Sequence, residues 1–98
     1  MSPEQCLAGD VDHRTDIYSL GCVMYEMLTG RMVFSASNPV ALMTKHVHEA
    51  PPTMGLTPSP QAAEIERIVL KSLSKKASDR YSDAYELKAD LFALYRTA

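Results

Sequence analysis

Between Asp16 and Thr29 the chain carries apolar residues around an unusually wide part of a helix, and no other feature limits the fold as much. At about 100° per residue, Ile17, Tyr18, Leu20, Val23, Met24, Tyr25, Met27 and Leu28 cover an arc of about 220°, with Ser19 and Glu26 opposite. A surface helix needs an apolar stripe only about 100° wide, so this one requires neighbours on most of its circumference. Its ends are marked in the sequence. Thr15 is available as N-cap, Asp16 is favourably placed in the first turn, and Gly30 stands where a left-handed residue closes a helix.

Three further helices follow. Asn38-Pro39 reads as N-cap plus proline at the first helical position, opening a segment to about His48 in which Val40, Met43 and Val47 recur at i, i+3 and i+7. Ser59-Pro60 repeats that signal. From there Ala62, Ile65, Val69 and Leu73 form one stripe, while Glu64, Arg67 and Lys71 face water. The last segment begins after Ser82, with Ala84, Leu87, Leu91, Leu94 and Tyr95 inside a stripe about 100° wide. No stretch alternates apolar and polar residues as a strand would, so the expected class is all-α. Four prolines and one glycine between Pro51 and Pro60 mark a loop that joins two halves of one core.

Composition narrows the function. The 98 residues, 46% hydrophobic and 22% charged, suit a single domain over 1–98. The net charge is −2 and the basic residues are scattered apart from Lys71, Lys75, Lys76 and Arg80, which gives nucleic-acid binding little support. No apolar run approaches the roughly 20 residues that cross a bilayer, and the opening residues are unlike a signal peptide, so the expected compartment is the cytoplasm. Cys6 and Cys22 form no metal or disulfide pattern and read as buried thiols. His46 and His48, two apart on a helix, point in different directions and suggest no metal site. Asp10, Asp12 and Asp16 flank a helix start, where carboxylates cap amides and oppose the dipole. No phosphate-binding glycine loop, nucleophile elbow or zinc-binding motif is present, and no residue is assigned as catalytic, cofactor-binding or metal-binding.

The residues become specific as an ordered series. Ser2-Pro3-Glu4 is followed by Asp12-His13-Arg14-Thr15-Asp16-Ile17-Tyr18-Ser19-Leu20-Gly21, then by Lys45-His46-Val47-His48-Glu49-Ala50-Pro51-Pro52 and by Leu73-Ser74-Lys75-Lys76-Ala77-Ser78-Asp79-Arg80-Tyr81. Over its whole length the chain resembles the back half of a protein kinase catalytic domain, beginning at the Ala-Pro-Glu motif with Ser2 in the alanine position. Its flavour is that of the eukaryotic-like Ser/Thr kinases of bacteria. The resemblance implies a helical C-lobe subdomain of about four main helices, plus a short helix or turn near the N-terminus. It also implies that the glycine-rich loop, the phosphate-setting Lys and Glu, the catalytic loop and the metal-binding Asp lie upstream, with ATP and Mg.

Several residues take roles by resemblance. Glu4 and Arg80 match an ion pair joining the end of the activation segment to the last helices, here expected to be partly buried, the alternative being two solvated charges. Asp16 matches the residue that anchors the catalytic loop; in this chain it either caps its own helix, is solvated, or keeps that role. Gly21 matches a small residue that admits a close neighbour. The helix after Asn38 takes the position of a docking element, which makes Met43, Lys45, His46 and His48 candidate exposed contacts. Its bland alternative is a solvated face with Val40 and Val47 packed inward. Two positions depart from the family: Ala77 replaces a common proline, and Met32-Val33 precede Phe34 where Pro-Pro is commoner.

The expected function is thus a C-lobe piece of a Ser/Thr protein kinase, inactive alone. Its partners would be the missing N-lobe and catalytic loop, the parent's protein substrate, and other copies through exposed apolar surface. A stand-alone kinase-derived interaction module is the alternative.

Overall fold

The computed structural model describes residues 2–7, 9 and 12–97. Asp10 and Met1 lie outside the described residues, as does the side chain of Tyr95. The elements are α1 (Pro3–Cys6), α2 (His13–Thr29), α3 (Pro39–His48), α4 (Pro60–Ser72), a 3-10 turn (Ala77–Asp79) and α5 (Ala84–Thr97). The all-helical class and the four main helices with a short N-terminal one agree with the sequence. No strand occurs among the described residues.

Three helix boundaries follow from their caps. The Asn38 side chain accepts a hydrogen bond from the Ala41 N–H at 2.8 Å and Ser59 accepts one from the Ala62 N–H at 3.0 Å, each followed by proline in the first turn. Gly30, at φ 72°, ends α2 by donating to the Glu26 carbonyl. Asn38→Ala is expected to lower the stability by about 1 kcal/mol in thermal denaturation, because it strands one amide of α3.

The start of α2 corrects the sequence expectation. Asp12, not Thr15, is the N-cap: its carboxylate accepts from the Arg14 N–H at 2.8 Å, so the helix begins at His13. Thr15 is instead buried, because its hydroxyl is turned onto Glu4.

Two clusters make the core. Tyr18, Tyr25, Val33, Phe34, Met54, Val69 and Leu73 form one, and Ile17, Ile68, Tyr81 and Leu87 the other, with Met24 packed against both. The proline-rich loop is fastened to the first cluster through buried Met54 and through the Tyr25 hydroxyl, which donates to the Pro52 carbonyl at 3.0 Å.

The wide arc of α2 is covered on one side only. Ile17, Tyr18 and Tyr25 are buried, whereas Leu20 and Leu28 are 43% exposed, Val23 51% and Met27 79%. The molecule measures 41 × 27 × 16 Å. A helix with its side chains is about 10–12 Å across, so the thin dimension holds less than two layers and leaves the outer face of α2 uncovered.

Other stripes need smaller corrections. In α4, Val69 and Leu73 are buried but Ala62 and Ile65 only half-buried, and Ile68 joins them. Lys71, expected in water, lays its ammonium 4.4 Å from the centre of the Tyr81 ring. In α5, Leu87 is buried while Ala84 and Leu91 are exposed. Val40 is exposed, not packed inward, and Val47 is half-buried. Cys6 and Cys22 are both half-buried free thiols, since each sits at an edge of the packing.

Candidate functional site

The site begins with a single helical turn. Ser2 caps α1 through a reciprocal pair: the Gln5 N–H donates to the Ser2 hydroxyl at 3.3 Å, and the Ser2 N–H donates to Gln5 Oε1 at 2.9 Å. Pro3 pre-sets the first helical φ, which leaves Glu4 projecting toward the chain's late segment.

There it meets Arg80. The guanidinium donates from Nη1 to Glu4 Oε2 at 2.7 Å and from Nη2 to Oε1 at 2.8 Å, a bidentate fork. Its other donors reach the carbonyls of Arg14 at 3.0 Å, Ser74 at 2.8 Å and Lys75 at 3.2 Å. A guanidinium has five N–H donors, and here each has an acceptor. The Arg80 side chain is 0% exposed and that of Glu4 13%. Hydrogen bonds from Arg80 hold the Glu4 carboxyl at about 2, against the opposing effect of its burial.

Tyr18 is the hub beneath this fork. Its ring lies 4.9 Å from the Arg80 guanidinium, and it is completely buried. Burial pushes its hydroxyl far above the ordinary tyrosine range, so it stays protonated, and it shares a hydrogen bond of 2.7 Å with His46 Nδ1. The His46 ring also meets Phe34 edge-on at 5.1 Å. Lys75 completes the contact by donating from Nζ to the carbonyls of His46 at 2.8 Å and Lys45 at 3.3 Å.

His46 is therefore not an exposed docking residue. It is 8% exposed, because the face of α3 that turns inward carries Leu42 and His46 one helical turn apart. Of the other three, His48 is exposed, Met43 is half-buried, and half-buried Lys45 spends its ammonium on the Ser35 carbonyl at 2.7 Å. Met43 and His48 do share a feature. With Cys6, Leu7, Val40, Thr44 and Val47 they line a largely apolar groove of about 240 Å³ between α1 and α3.

Asp16 is exposed in the first turn of α2, with capping left to Asp12. The parts that Thr15, Tyr18 and Lys75 play at this site were not read from the sequence, since a tyrosine within a wide apolar arc carries no mark of a polar partner. The hint available was the i, i+4 spacing of Leu42 and His46 on a helix opened by proline.

The model of the protein kinase domain matches residues 1–92. The chain belongs to the protein kinase family. It is 41% identical over 95 residues to the serine/threonine-protein kinase PknB of Mycobacterium tuberculosis, a match covering 97% of this chain and 15% of that protein. With PknB of Mycolicibacterium smegmatis the identity is 42% over 95 residues, covering the same shares. With the probable serine/threonine-protein kinase PknB of Corynebacterium glutamicum it is 42% over 103 residues, covering 100% of this chain and 16% of the relative. The kinase chain thus spans about one-sixth of the length of these relatives. Among the described residues no three His, Cys, Asp or Glu side chains form a metal-binding group, and the sequence holds no phosphate-cradling glycine loop.

Proposed function

We propose that this chain is the late helical part of a Ser/Thr protein kinase catalytic domain, and that it supplies scaffold and substrate-side surface without catalysing transfer by itself. In the complete kinase the γ-phosphoryl of ATP would pass to a protein Ser or Thr hydroxyl through groups lying upstream. The carrying observation is the uncovered apolar face of α2, on which Leu20, Val23 and Met27 present one continuous strip. A strip of that kind on a thin helical plate calls for another part of the same lobe. Glu4 and Arg80 would join the segment before α2 to the segment after α4, Asp16 would face the incoming catalytic loop, and Met43 with His48 would meet docking partners. The compartment proposed with this reading is the cytoplasm, and two cysteines that stand as free thiols are in keeping with it. No helix among the described residues is long and apolar enough to cross a membrane.

The purified chain is expected to give no heat with Mg-ATP in calorimetry, to phosphorylate no protein, and to bind a hydrophobic dye or self-associate. Stoichiometric nucleotide binding would overturn the assignment. So would a dilute monomer that melts sharply and binds no dye. The groove between α1 and α3 favours a second reading, a stand-alone interaction module. The intact mass in source cells separates the two: a mass equal to this chain's favours the module, and a much larger one favours the kinase domain.

A further inference from the structure

We propose that His46 is an acid-released latch: its neutral ring fastens α3 to α2, and its protonation frees α3 and dismantles the groove shared with α1 while the rest of the fold holds. Tyr18 shares a hydrogen bond with Nδ1, and Phe34 closes one side edge-on. From α2 the titratable neighbours are Tyr18, Cys22 and Glu26, and from the turn after α4 it is Lys75. Glu26 shares a crevice of about 170 Å³ with His46 and Cys22 but is itself exposed. Among the described residues no carboxylate forms an ion pair with His46.

An imidazolium at this place would be buried beside the Lys75 ammonium without a counter-charge. The Tyr18 oxygen could turn to accept from a protonated Nδ1, so the lost hydrogen bond is not the releasing force. The uncompensated charge is. Burial above all accordingly holds the ring at about 4 against an ordinary value of 6.5, with the surrounding positive charge, that of Lys75 included, acting in the same direction. A freed α3 returns the ring to water. Between those two pH values the open form binds a proton that the closed form does not, and opening becomes easier as the pH falls, by about tenfold per unit. What opens is local, because α3 packs against α1 while α2, α4 and α5 hold one another through their own contacts.

The test is peptide-resolved hydrogen exchange, with exchange at the imidazole C2–H, on the protein at the length its cells produce. His46 is expected to titrate below pH 5. The opening constant of α3, corrected for intrinsic exchange, should rise about tenfold per pH unit from about 6 to about 4.5 while α4 stays flat. His46→Asn should flatten the α3 response, and His48→Gln should leave it intact. If His46→Asn does not fold, the wild-type titration decides. A His46 midpoint at or above 6, opening of α3 and α4 together, or loss of the response in His48→Gln would each overturn the latch.

Discussion

Arg80→Ala is expected to destabilise the kinase chain by about 3–5 kcal/mol, the largest loss from any single side-chain truncation away from the aromatic core. The guanidinium is fully enclosed, and its removal strands the Glu4 carboxylate together with the carbonyls of Arg14, Ser74 and Lys75. Glu4→Ala should cost a comparable amount by leaving a buried cation without its counter-charge. Adding the second mutation to the first should then cost little, and a double-mutant cycle by urea denaturation reads this directly. Full additivity would mean that the two side chains act independently. Arg80→Lys should recover only part of the loss, since an ammonium cannot reproduce the fork or reach three carbonyls.

The same pair fixes an acid dependence. The Glu4 carboxyl lies at about 2 in the fold against 4.5 when unpaired. Its folded value is depressed, so the stabilisation is complete above about 4.5 and disappears as the pH falls toward 2, a change of about 3 kcal/mol. Arg80→Ala should abolish that part of the pH profile as well as lowering the whole curve.

Gly21→Val is expected to cost about 3 kcal/mol, and Gly21→Ala a net 1 kcal/mol or so. A Cβ at Gly21 would lie 2.9 Å from the Ser72 Cβ and 3.1 Å from Leu73 Cδ2. Neither neighbour can retreat: Ser72 is 0% exposed and bonded to the Ile68 carbonyl, and Leu73 is 1% exposed in the first core cluster. Alanine regains about 1 kcal/mol of helix propensity, which partly offsets the clash, whereas valine adds two further carbons and gains less. Ser72→Gly on the Gly21→Ala background should restore part of the stability. A Gly21→Ala protein that melts at or above the parent temperature would show that α2 and α4 can separate freely.

How far these features can be read from the sequence depends on whether their cause is local. Asn38-Pro39, Ser59-Pro60 and Gly30 set helix ends through neighbouring amides and a single φ, so those boundaries were legible. The start of α2 was not, because Asp12 and Thr15 both offer a cap and only the distant Glu4 decides which is diverted. Periodicity likewise revealed the breadth of the apolar arc but not its division into covered Tyr18 and Tyr25 and uncovered Val23 and Met27. That division depends on which helices arrive. Glu4 and Arg80 could be picked out by resemblance, yet three of the five bonds that Arg80 makes go to main-chain carbonyls, which no side-chain pattern encodes. His46 was misplaced for the opposite reason: the stripe Val40, Met43, Val47 suggested an inward face, while the buried side is set by Tyr18 and Phe34.

The clamp between Glu4 and Arg80 also sets an order of events during synthesis. The guanidinium follows its carboxylate by 76 residues, which at about 5–20 residues per second is a delay of roughly 4–15 s on the ribosome. During that interval α1, only four residues long, has its cap and its packing on α3 to hold it, but not the fork that fixes Glu4. The carboxylate of α1 therefore gains its partner late, and a nascent chain halted before residue 80 leaves Glu4 without the guanidinium that encloses it.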